Sequence, residues 1–245
     1  MIGEWLKSKW TRKDRSRLGE LPPYKRIRAE QLIGRLRGEN LTYVGTTKLR
    51  SLAWAALHVA EKGIEGDFIE AGVALGGSAI LLSKLKPPST SLLLYDVFSM
   101  IPPPGADDGE DAHSRYAEIA GGEARGLGED RYYGYIDDLT AVVRRNLEAF
   151  GLNEAQDGIS LIEGLYEQSL HPPGPVALAH IDCDWYESIK TCIARIYPLL
   201  SRGGIMVFDD YRSYSGCRKA VDEFLSAHKE MEIVFHVKSV GLGKR

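Results

Sequence analysis

From residue 51 to residue 245 the sequence alternates short apolar segments with segments of helical periodicity. The first helical segment is SLAWAALHVAEKG, whose apolar residues recur at helical spacing and whose final glycine is a common helix stop. The apolar segments that follow predict the strands GDFIEAG, SLLLYD, GISLIEG, VALAHID, GGIMVFDD and EIVFHV, with SVGLGKR as a short last strand. Strands that alternate with helices favour the α/β class, in which helices cover a mainly parallel sheet.

Composition agrees with an ordinary globular protein. The 245 residues suit one large domain or one domain plus an appendage, and the 44% hydrophobic content is enough for a core. The formal net charge of -3 argues against a nucleic-acid binder that relies on bulk charge. We predict an N-terminal arm and helical extension over residues 1–50, followed by one domain over residues 51–245.

The cysteines and the N-terminus bear on location. Cys183, Cys192 and Cys217 are an odd number without CxxC spacing, which disfavours a disulfide framework or a zinc cluster and fits a reducing cytosol. We therefore expect a cytoplasmic protein. No segment is apolar over the roughly 18 residues that a membrane span needs, and the N-terminus has no signal-peptide core. The basic start MIGEWLKSKWTRKDRSR is interpreted as an exposed arm, with contact to a membrane surface as the alternative.

One long segment interrupts the alternation. Residues 99–138 are rich in proline, glycine and acidic residues, and loops of this length are usually lids, binding loops or disordered segments. The segment follows the second predicted strand, which places it at the carboxyl edge of the sheet, where open α/β sheets bind ligands. We predict a lid-like insertion, and a permanently ordered surface excursion is the alternative.

A glycine-rich turn, IEAGVALGGSA, leads from the first predicted strand into a helix. Gly72, Gly76 and Gly77 let the backbone turn sharply and approach a ligand closely. Their spacing matches neither the dinucleotide pattern G-x-G-x-x-G nor the P-loop. Asp96 ends the second strand twenty residues after Gly76 (96−76=20), where a carboxylate can bind both hydroxyls of a ribose. Together the two features predict a nucleoside-type ligand, although each alone is typical of an ordinary turn or an exposed strand end.

Four aspartates follow two other predicted strands, in HIDCDWYES and IMVFDDYRS. Asp182 precedes Asp209 and Asp210 by 27 and 28 residues (209−182=27, 210−182=28), which is about the length of a strand, a crossover helix and the next strand. Neighbouring parallel strands would bring these carboxylates together, and such oxygen donors suit a hard cation, Mg²⁺ above all. Asp184, in a continuing strand, would share the face of Asp182 as a fourth ligand or a neighbour of the ligands. Exposed caps or turns are the alternative.

Taken together, these motifs resemble the macrocin O-methyltransferase family, whose members use S-adenosylmethionine to methylate sugar hydroxyls of natural products. The resemblance extends over roughly residues 42 to 245, and HIDCDWYES with GGIMVFDDY is its specific pair. The other resembling segments are GDFIEAGVALGGSA, YDVFSMIPPP, EGLYEQSL, YPLLSRGGIMVFDDY and AVDEF. Membership implies a class I methyltransferase fold, with a Rossmann-like sheet of seven strands, the last antiparallel, and helices on both faces.

The resemblance also implies a function. The enzyme would be an Mg²⁺-dependent O-methyltransferase of antibiotic biosynthesis. It would act on a sugar hydroxyl of a glycosylated natural product or of a nucleotide-activated deoxysugar, and the motifs do not separate the two. Tyr132, Tyr133 and Tyr135 of the insertion could cover the sugar ring. We expect a homo-oligomer with a small-molecule acceptor and with neither nucleic acid nor membrane as partner.

Individual residues receive roles from the same resemblance. The amino-acid end of the cofactor is assigned to Glu70, Gly72, Gly76, Gly77 and Ser78, and its ribose to Asp96. The adenine is bordered by Phe98 and the turn Gly164–Tyr166, and the stretch from Thr42 to Gly45 lies near the cofactor. A helix N-cap at Thr42 or Thr46 is the alternative for that stretch. The metal is assigned to Asp182, Asp209 and Asp210, and Asp182 is also the candidate general base.

Two other functions stay open at this point. An NAD-dependent oxidoreductase would use the glycine turn and Asp96 equally well, although the glycine spacing and the acidic cluster count against it. A non-catalytic protein that has kept the cofactor pocket is the other alternative, and it would bind cofactor without any dependence on metal.

Overall fold

The computed structural model describes residues 17–245, so most of the predicted N-terminal arm, residues 1–16, lies outside the described residues. Within this described part, seven strands form one sheet. The strands are β1 (Asp67–Ala71), β2 (Leu92–Asp96), β3 (Ile159–Glu163), β4 (Val176–Ile181), β5 (Leu200–Phe208), β6 (Met231–His236) and β7 (Val240–Lys244). Every strand expected from the apolar segments is present.

The topology confirms the predicted α/β class and the antiparallel last strand. The strand order is β3-β2-β1-β4-β5-β7-β6. Strands β1 to β5 pair in parallel, whereas β7 runs antiparallel to both β5 and β6. Because the chain order runs outward in both directions from the β1–β4 pair, the loops that follow these two strands diverge there. Such a switch point at the carboxyl edge is where open α/β sheets bind ligands.

Helices cover both faces of the sheet, as predicted. In the described part of the chain they are α1 (Pro23–Gly38), α2 (Thr46–Glu61), α3 (Gly77–Leu85), α4 (Glu110–Ala120), α5 (Leu139–Ala149), α6 (Glu154–Asp157), α7 (Tyr166–Ser169), α8 (Tyr186–Ile196) and α9 (Ser215–Ala227). Successive β1 residues point to opposite faces. Phe68 therefore packs with α1, α2, α3 and α5 in one core, while Ile69 packs with α8 and α9 in the other.

The N-terminal helices belong to the first of these cores. Helix α1 buries Ala29, Ile33 and Leu36 against it. Helix α2 begins at Thr46, five residues before the start expected from its periodicity (51−46=5), with Gly45 as the N-cap residue. It therefore runs through the predicted division between residues 50 and 51, which stays a prediction. No helix within residues 17–245 has both the length and the apolar character of a membrane span.

The insertion over residues 99–138 contains more regular structure than its composition indicates. It includes α4 and a 3₁₀ turn at Tyr133–Tyr135. Its first half is hydrogen-bonded to the starts of α8 and α9. The Trp185 indole N–H donates to the carbonyl of Pro102 (2.8 Å), and the backbone N–H of Tyr186 donates to Asp108 (2.8 Å). Whether any part of the insertion acts as a lid stays a prediction.

Candidate functional site

Glycines shape the turn after β1 because other chain segments approach it closely. Gly72 has φ 94° and lies against the backbone of Asp182, so that a Cβ at this position would overlap the Asp182 carbonyl. Gly76, at φ 85°, is the N-cap of α3 in the left-handed conformation. A Cβ at Gly77 would overlap the carbonyl of Leu41 and the side chain of Thr42. The turn therefore brings β1, β4 and the segment before α2 together.

The segment from Thr42 to Gly45 is held by hydrogen bonds beside the start of α3. Thr42 is buried, and its hydroxyl accepts from the N–H of Val44 (3.0 Å). The Arg37 guanidinium donates to the carbonyls of Thr42 (2.9 Å) and Val44 (3.4 Å). Neither Thr42 nor Thr46 is a helix N-cap, since Gly45 occupies that position. Ser78 is also buried, in the first turn of α3.

Asp96 ties the end of β2 to the glycine turn. Its carboxylate accepts the backbone N–H groups of Val73 (2.6 Å), Ala74 (3.1 Å) and Phe98 (2.8 Å). The carbonyl of Asp96 accepts from Gly164, which begins the turn after β3 (3.0 Å). Burial raises the pKa of Asp96, and these backbone hydrogen bonds oppose the rise. A carboxylate offers about four acceptor positions, and backbone N–H groups occupy at least three of them at Asp96.

Glu70 and His180 form a fully buried pair on the neighbouring strands β1 and β4. Glu70 Oε1 lies 2.8 Å from His180 Nδ1, and both side chains have no exposed surface. Glu70 Oε2 has no hydrogen-bond partner among the described residues. His180 Nε2 lies 3.7 Å from Asp209 Oδ1. Burial lowers the pKa of His180, but Asp209 and Glu70 raise it more, to about 9, so the imidazole is charged at neutral pH.

The carboxyl ends of β4 and β5 bring four aspartates together. Oxygen atoms of Asp182, Asp184 and Asp210 all lie within 4.8 Å of one another. Asp209 is adjacent, but it faces Lys48 and His180. The convergence of Asp182 with Asp210 agrees with the strand spacing. Asp184 joins them by a different route from the one expected, because β4 ends at Ile181 and Asp184 adopts a left-handed turn conformation with φ 59°.

These carboxylates carry opposite pKa shifts. Burial raises the pKa of Asp182 well above its usual range, and the charges of Asp209 and Asp210 raise it further. Burial and the charge of Asp210 do the same to Asp184. Burial also raises the pKa of Asp209, but His180 and Lys48 lower it more, so that its pKa falls below the usual value. Asp182 and Asp184 therefore hold a proton more tightly than free aspartates do, and a cation beside them would oppose this shift.

Lys48 contacts the aspartate cluster, and the sequence did not indicate this contact. Its ammonium group lies 2.5 Å from Asp209 Oδ2 and 3.4 Å from Asp210 Oδ1. It belongs to the first turn of α2 and precedes these aspartates by 161 and 162 residues. A single lysine at a helix start has no sequence signature of such a contact. Burial lowers its pKa, but the charges of Asp210 and Asp209 raise it more, and Lys48 stays charged.

A cavity of about 320 Å³ joins the glycine turn to the aspartates. Of the cofactor and metal residues singled out from the sequence, Gly72, Asp96, Tyr166, Asp182 and Asp184 line it. Ile101, Pro102 and Trp185 give its wall an apolar side. Tyr133 of the insertion also lines it, and burial raises the pKa of this phenol well above the usual value. A nucleoside-type ligand at Asp96 and a second molecule at Asp182 would thus share one cavity.

Comparison with known proteins agrees with this geometry. The family model described as Macrocin-O-methyltransferase (TylF) matches residues 37–243. The chain is 28% identical over 207 residues to the 8-demethyl-8-(2,3-dimethoxy-alpha-L-rhamnosyl)-tetracenomycin-C 4'-O-methyltransferase of Streptomyces olivaceus, covering 82% of this chain and 74% of the relative. It is 26% identical over 210 residues to the mycinamicin III 3''-O-methyltransferase of Micromonospora griseorubida, covering 82% and 76%.

A solved structure shows the same fold. The O-methyltransferase NovP superposes with a TM-score of 0.74 at 20% identity, covering 90% of this chain and 99% of that chain. The fold and the family match both agree with the motifs of the two strand ends. The chain therefore belongs to the macrocin O-methyltransferase family and is an O-methyltransferase.

Proposed function

We propose that this enzyme transfers a methyl group from S-adenosylmethionine to a sugar hydroxyl, with Mg²⁺ as metal, in antibiotic biosynthesis. The acceptor is the sugar of a glycosylated natural product or a nucleotide-activated deoxysugar. The observation that carries the proposal is the cavity that joins Asp96 and Gly72 to Asp182. The names of two relatives, which act on a tetracenomycin rhamnoside and on mycinamicin III, support the acceptor class.

The cofactor is proposed to lie along the glycine turn. Glu70 Oε2 is buried without a partner in the described chain, and it suits the ammonium group of the methionine part. Asp96 is proposed to bind the ribose through its carboxylate. The rest of the binding surface is proposed to consist of Thr42, Gly45, Gly72, Gly76, Gly77 and Ser78 beside the methionine part, and of Phe98, Gly164 and Tyr166 beside the adenine.

The acidic cluster fits a hard divalent cation. Its donors are carboxylate oxygens, which Mg²⁺ prefers. Asp210 Oδ2 and Asp209 Oδ1 are buried and have no hydrogen-bond partner within residues 17–245, so the site has donors to offer. We propose Asp182, Asp209 and Asp210 as ligands, and Asp184 lies close enough to Asp182 and Asp210 to take part. A divalent cation bound there supplies a lowered pKa for the acceptor hydroxyl.

Asp182 is proposed as the general base because of its position. Its backbone N–H donates to the carbonyl of Ala71 (2.8 Å), which fixes it beside the glycine turn, and it lines the cavity. With S-adenosylmethionine bound, the hydroxyl oxygen would take the methyl group from the sulfonium sulfur as the S–CH₃ bond breaks, and Asp182 would accept the hydroxyl proton. The products are a methyl ether and S-adenosylhomocysteine. Alignment of the two reactants in one cavity lowers the barrier by proximity.

Ligand-dependent thermal stability tests the cofactor, and turnover tests the reaction. S-adenosylhomocysteine should raise the melting temperature, whereas NAD should not; stabilisation by NAD alone would refute a methyltransferase cofactor site. Turnover should be measured with labelled S-adenosylmethionine on glycosylated natural products and sugar nucleotides. A chelator should abolish it and Mg²⁺ should restore it, so full activity after chelation would exclude the metal mechanism.

The cytoplasmic location and the homo-oligomeric state stay predictions. Cell fractionation and light scattering coupled to size-exclusion chromatography would test them.

A further inference from the structure

Lys48 places a fixed positive charge inside the proposed metal site. Its side chain is only 14% exposed, and its ammonium group contacts Asp209 and Asp210. The helix that carries it, α2, is anchored in the core by residues such as Leu49, Leu52 and Trp54. Lys48 therefore projects from a helix that is fixed in the core, and it is not an exposed, flexible lysine.

Asp209 and Asp210 have the same arrangement of carboxylate oxygens. One oxygen of each carboxylate faces Lys48, and the other oxygen of each is buried without a hydrogen-bond partner in the described structure. A buried carboxylate with an unpaired oxygen is costly unless a cation lies close to it. Lys48 offsets part of this cost in the metal-free chain. His180 Nε2 lies 3.7 Å from the second oxygen of Asp209, whereas the second oxygen of Asp210 has no hydrogen-bond partner in the described structure and is open to a further cation.

We propose that Lys48 is a built-in counter-cation that competes with the divalent metal for this site, an inference that rests on the proposed function. Without metal, the ammonium group keeps Asp209 and Asp210 together and limits their mutual repulsion. When a divalent cation enters, it either displaces Lys48 from Asp209 or binds beside it against the repulsion of a like charge. Both routes weaken metal binding, because opposing charges a few ångströms apart interact strongly in a buried site.

If Lys48 only positioned the carboxylates, its replacement should change the metal affinity in the opposite direction. If Lys48 only held the carboxylates in the geometry that the metal requires, its removal would disorder the ligands and weaken metal binding. Competition predicts tighter metal binding after its removal, together with a metal-free protein that is less stable. The direction of the change in metal affinity therefore separates the two roles, independently of enzyme activity.

The experiment measures Mn²⁺ binding to the full chain, by the electron paramagnetic resonance signal of free Mn²⁺, for the wild type and Lys48→Met. Methionine keeps the length of the stem and removes the charge. We expect Lys48→Met to bind Mn²⁺ about tenfold or more tightly. We also expect it to melt at a lower temperature without metal and to regain stability with Mn²⁺. Lys25→Met is the matched control, since Lys25 pairs with Glu61 on the surface, and it should leave Mn²⁺ affinity unchanged.

Equal or weaker Mn²⁺ binding by Lys48→Met, with binding by the wild type intact, would overturn the inference and leave the proposed function standing. Absence of Mn²⁺ binding by both proteins would refute the metal site of the proposed function and the inference with it. If Lys48→Met does not fold, Lys48→Gln takes its place with the same expectation. The double variant Lys48→Met/Asp210→Asn should melt at a higher temperature than Lys48→Met without metal, because Asp210 loses its contact with Lys48 whereas Asp209 still faces His180. A lower melting temperature would contradict the role of Lys48 as a counter-cation.

Discussion

At the carboxyl edge of the sheet, the negative charge of buried aspartates is stabilised in two different ways. Asp96, beyond β2, has its carboxylate bound by three backbone N–H groups from its own loop and the glycine turn. Asp209 and Asp210, beyond β5, contact side-chain cations instead: Lys48 lies against both, and His180 lies beside Asp209. Each of these two aspartates keeps one buried oxygen without a partner in the described chain.

The comparison divides the site into two halves, the half around Asp96 and the glycine turn and the acidic half around Asp182, Asp184, Asp209 and Asp210. The two halves differ in how far the folded chain itself satisfies their carboxylates. Backbone N–H groups are part of the folded chain, so the Asp96 carboxylate is held against the glycine turn before a ligand binds. Glu70 on the same side keeps one buried oxygen without a partner in the described chain. The acidic half retains unpaired oxygens, and its carboxylates repel one another. Its geometry and charge state should therefore depend on a bound cation. Substitutions in the half around Asp96 should therefore weaken cofactor binding, and substitutions in the acidic half should lower turnover.

The largest effect is expected from Asp182→Asn. This change removes a proposed ligand charge and the proposed base, so turnover should fall by about 10²–10⁴-fold. Affinity for S-adenosylhomocysteine should change little, because the acidic half is proposed to contact the acceptor. Steady-state kinetics and calorimetry measure the two quantities. Asp138→Asn is a suitable control, since Asp138 caps α5 and asparagine caps helices equally well. Near-normal turnover by Asp182→Asn, with Asp184→Asn inactive, would show that Asp184 is the essential member of the pair.

Asp96→Ala should damage the other half. It removes the ribose acceptor, so affinity for S-adenosylhomocysteine should fall about tenfold or more. It also leaves three backbone N–H groups without their acceptor, which should lower the melting temperature by several degrees. Asp67→Ala is the control, because Asp67 accepts a single backbone N–H, from Ser91. Unchanged affinity in calorimetry would refute the ribose assignment, even if the melting temperature fell.

The acidic half should also make stability depend on pH. The pKa of His180 is raised from 6.5 to about 9, so its contribution to stability is complete below pH 6.5 and is lost as the pH rises through 9. The melting temperature of the chelated wild type should therefore fall between pH 6.5 and 9 more steeply than that of His180→Gln. Equal slopes for the two proteins would show that His180 does not carry this charge.

The strands could be predicted because each combines a short apolar segment with a turn residue at its end. Their order along the chain alternates with amphipathic helices, and this alternation leaves few topologies. The proximity of Asp182 and Asp210 could be predicted from their spacing in the sequence, because neighbouring parallel strands align their carboxyl ends. These features depend on local sequence and on repeating geometry.

Contacts between distant segments could not be predicted in this way. Lys48 meets Asp209 across 161 residues, and nothing local distinguishes it from an exposed lysine. Helix α4 was missed because only Ala112 and Ile119 are buried along its length, so it carries little periodic signal. The hydrogen bonds from backbone N–H groups to the Asp96 carboxylate were missed as well. An aspartate at a strand end predicts a ribose contact, but the sequence does not reveal which N–H groups of the folded loops donate to it.

The smallest effect concerns the insertion, whose first half is fastened to the acidic side of the sheet. Trp185→Phe keeps a ring against Tyr214 and removes the hydrogen bond to Pro102, a loss of about 1 kcal/mol. Trypsin should therefore cleave at Arg115, in the first half of the insertion, a few-fold faster in this variant, with cleavage outside the insertion unchanged. If the insertion is a lid, S-adenosylhomocysteine with acceptor should slow this cut in the wild type. Equal rates with and without ligands, together with no effect of Trp185→Phe, would instead indicate a permanently ordered excursion whose stability does not depend on this contact.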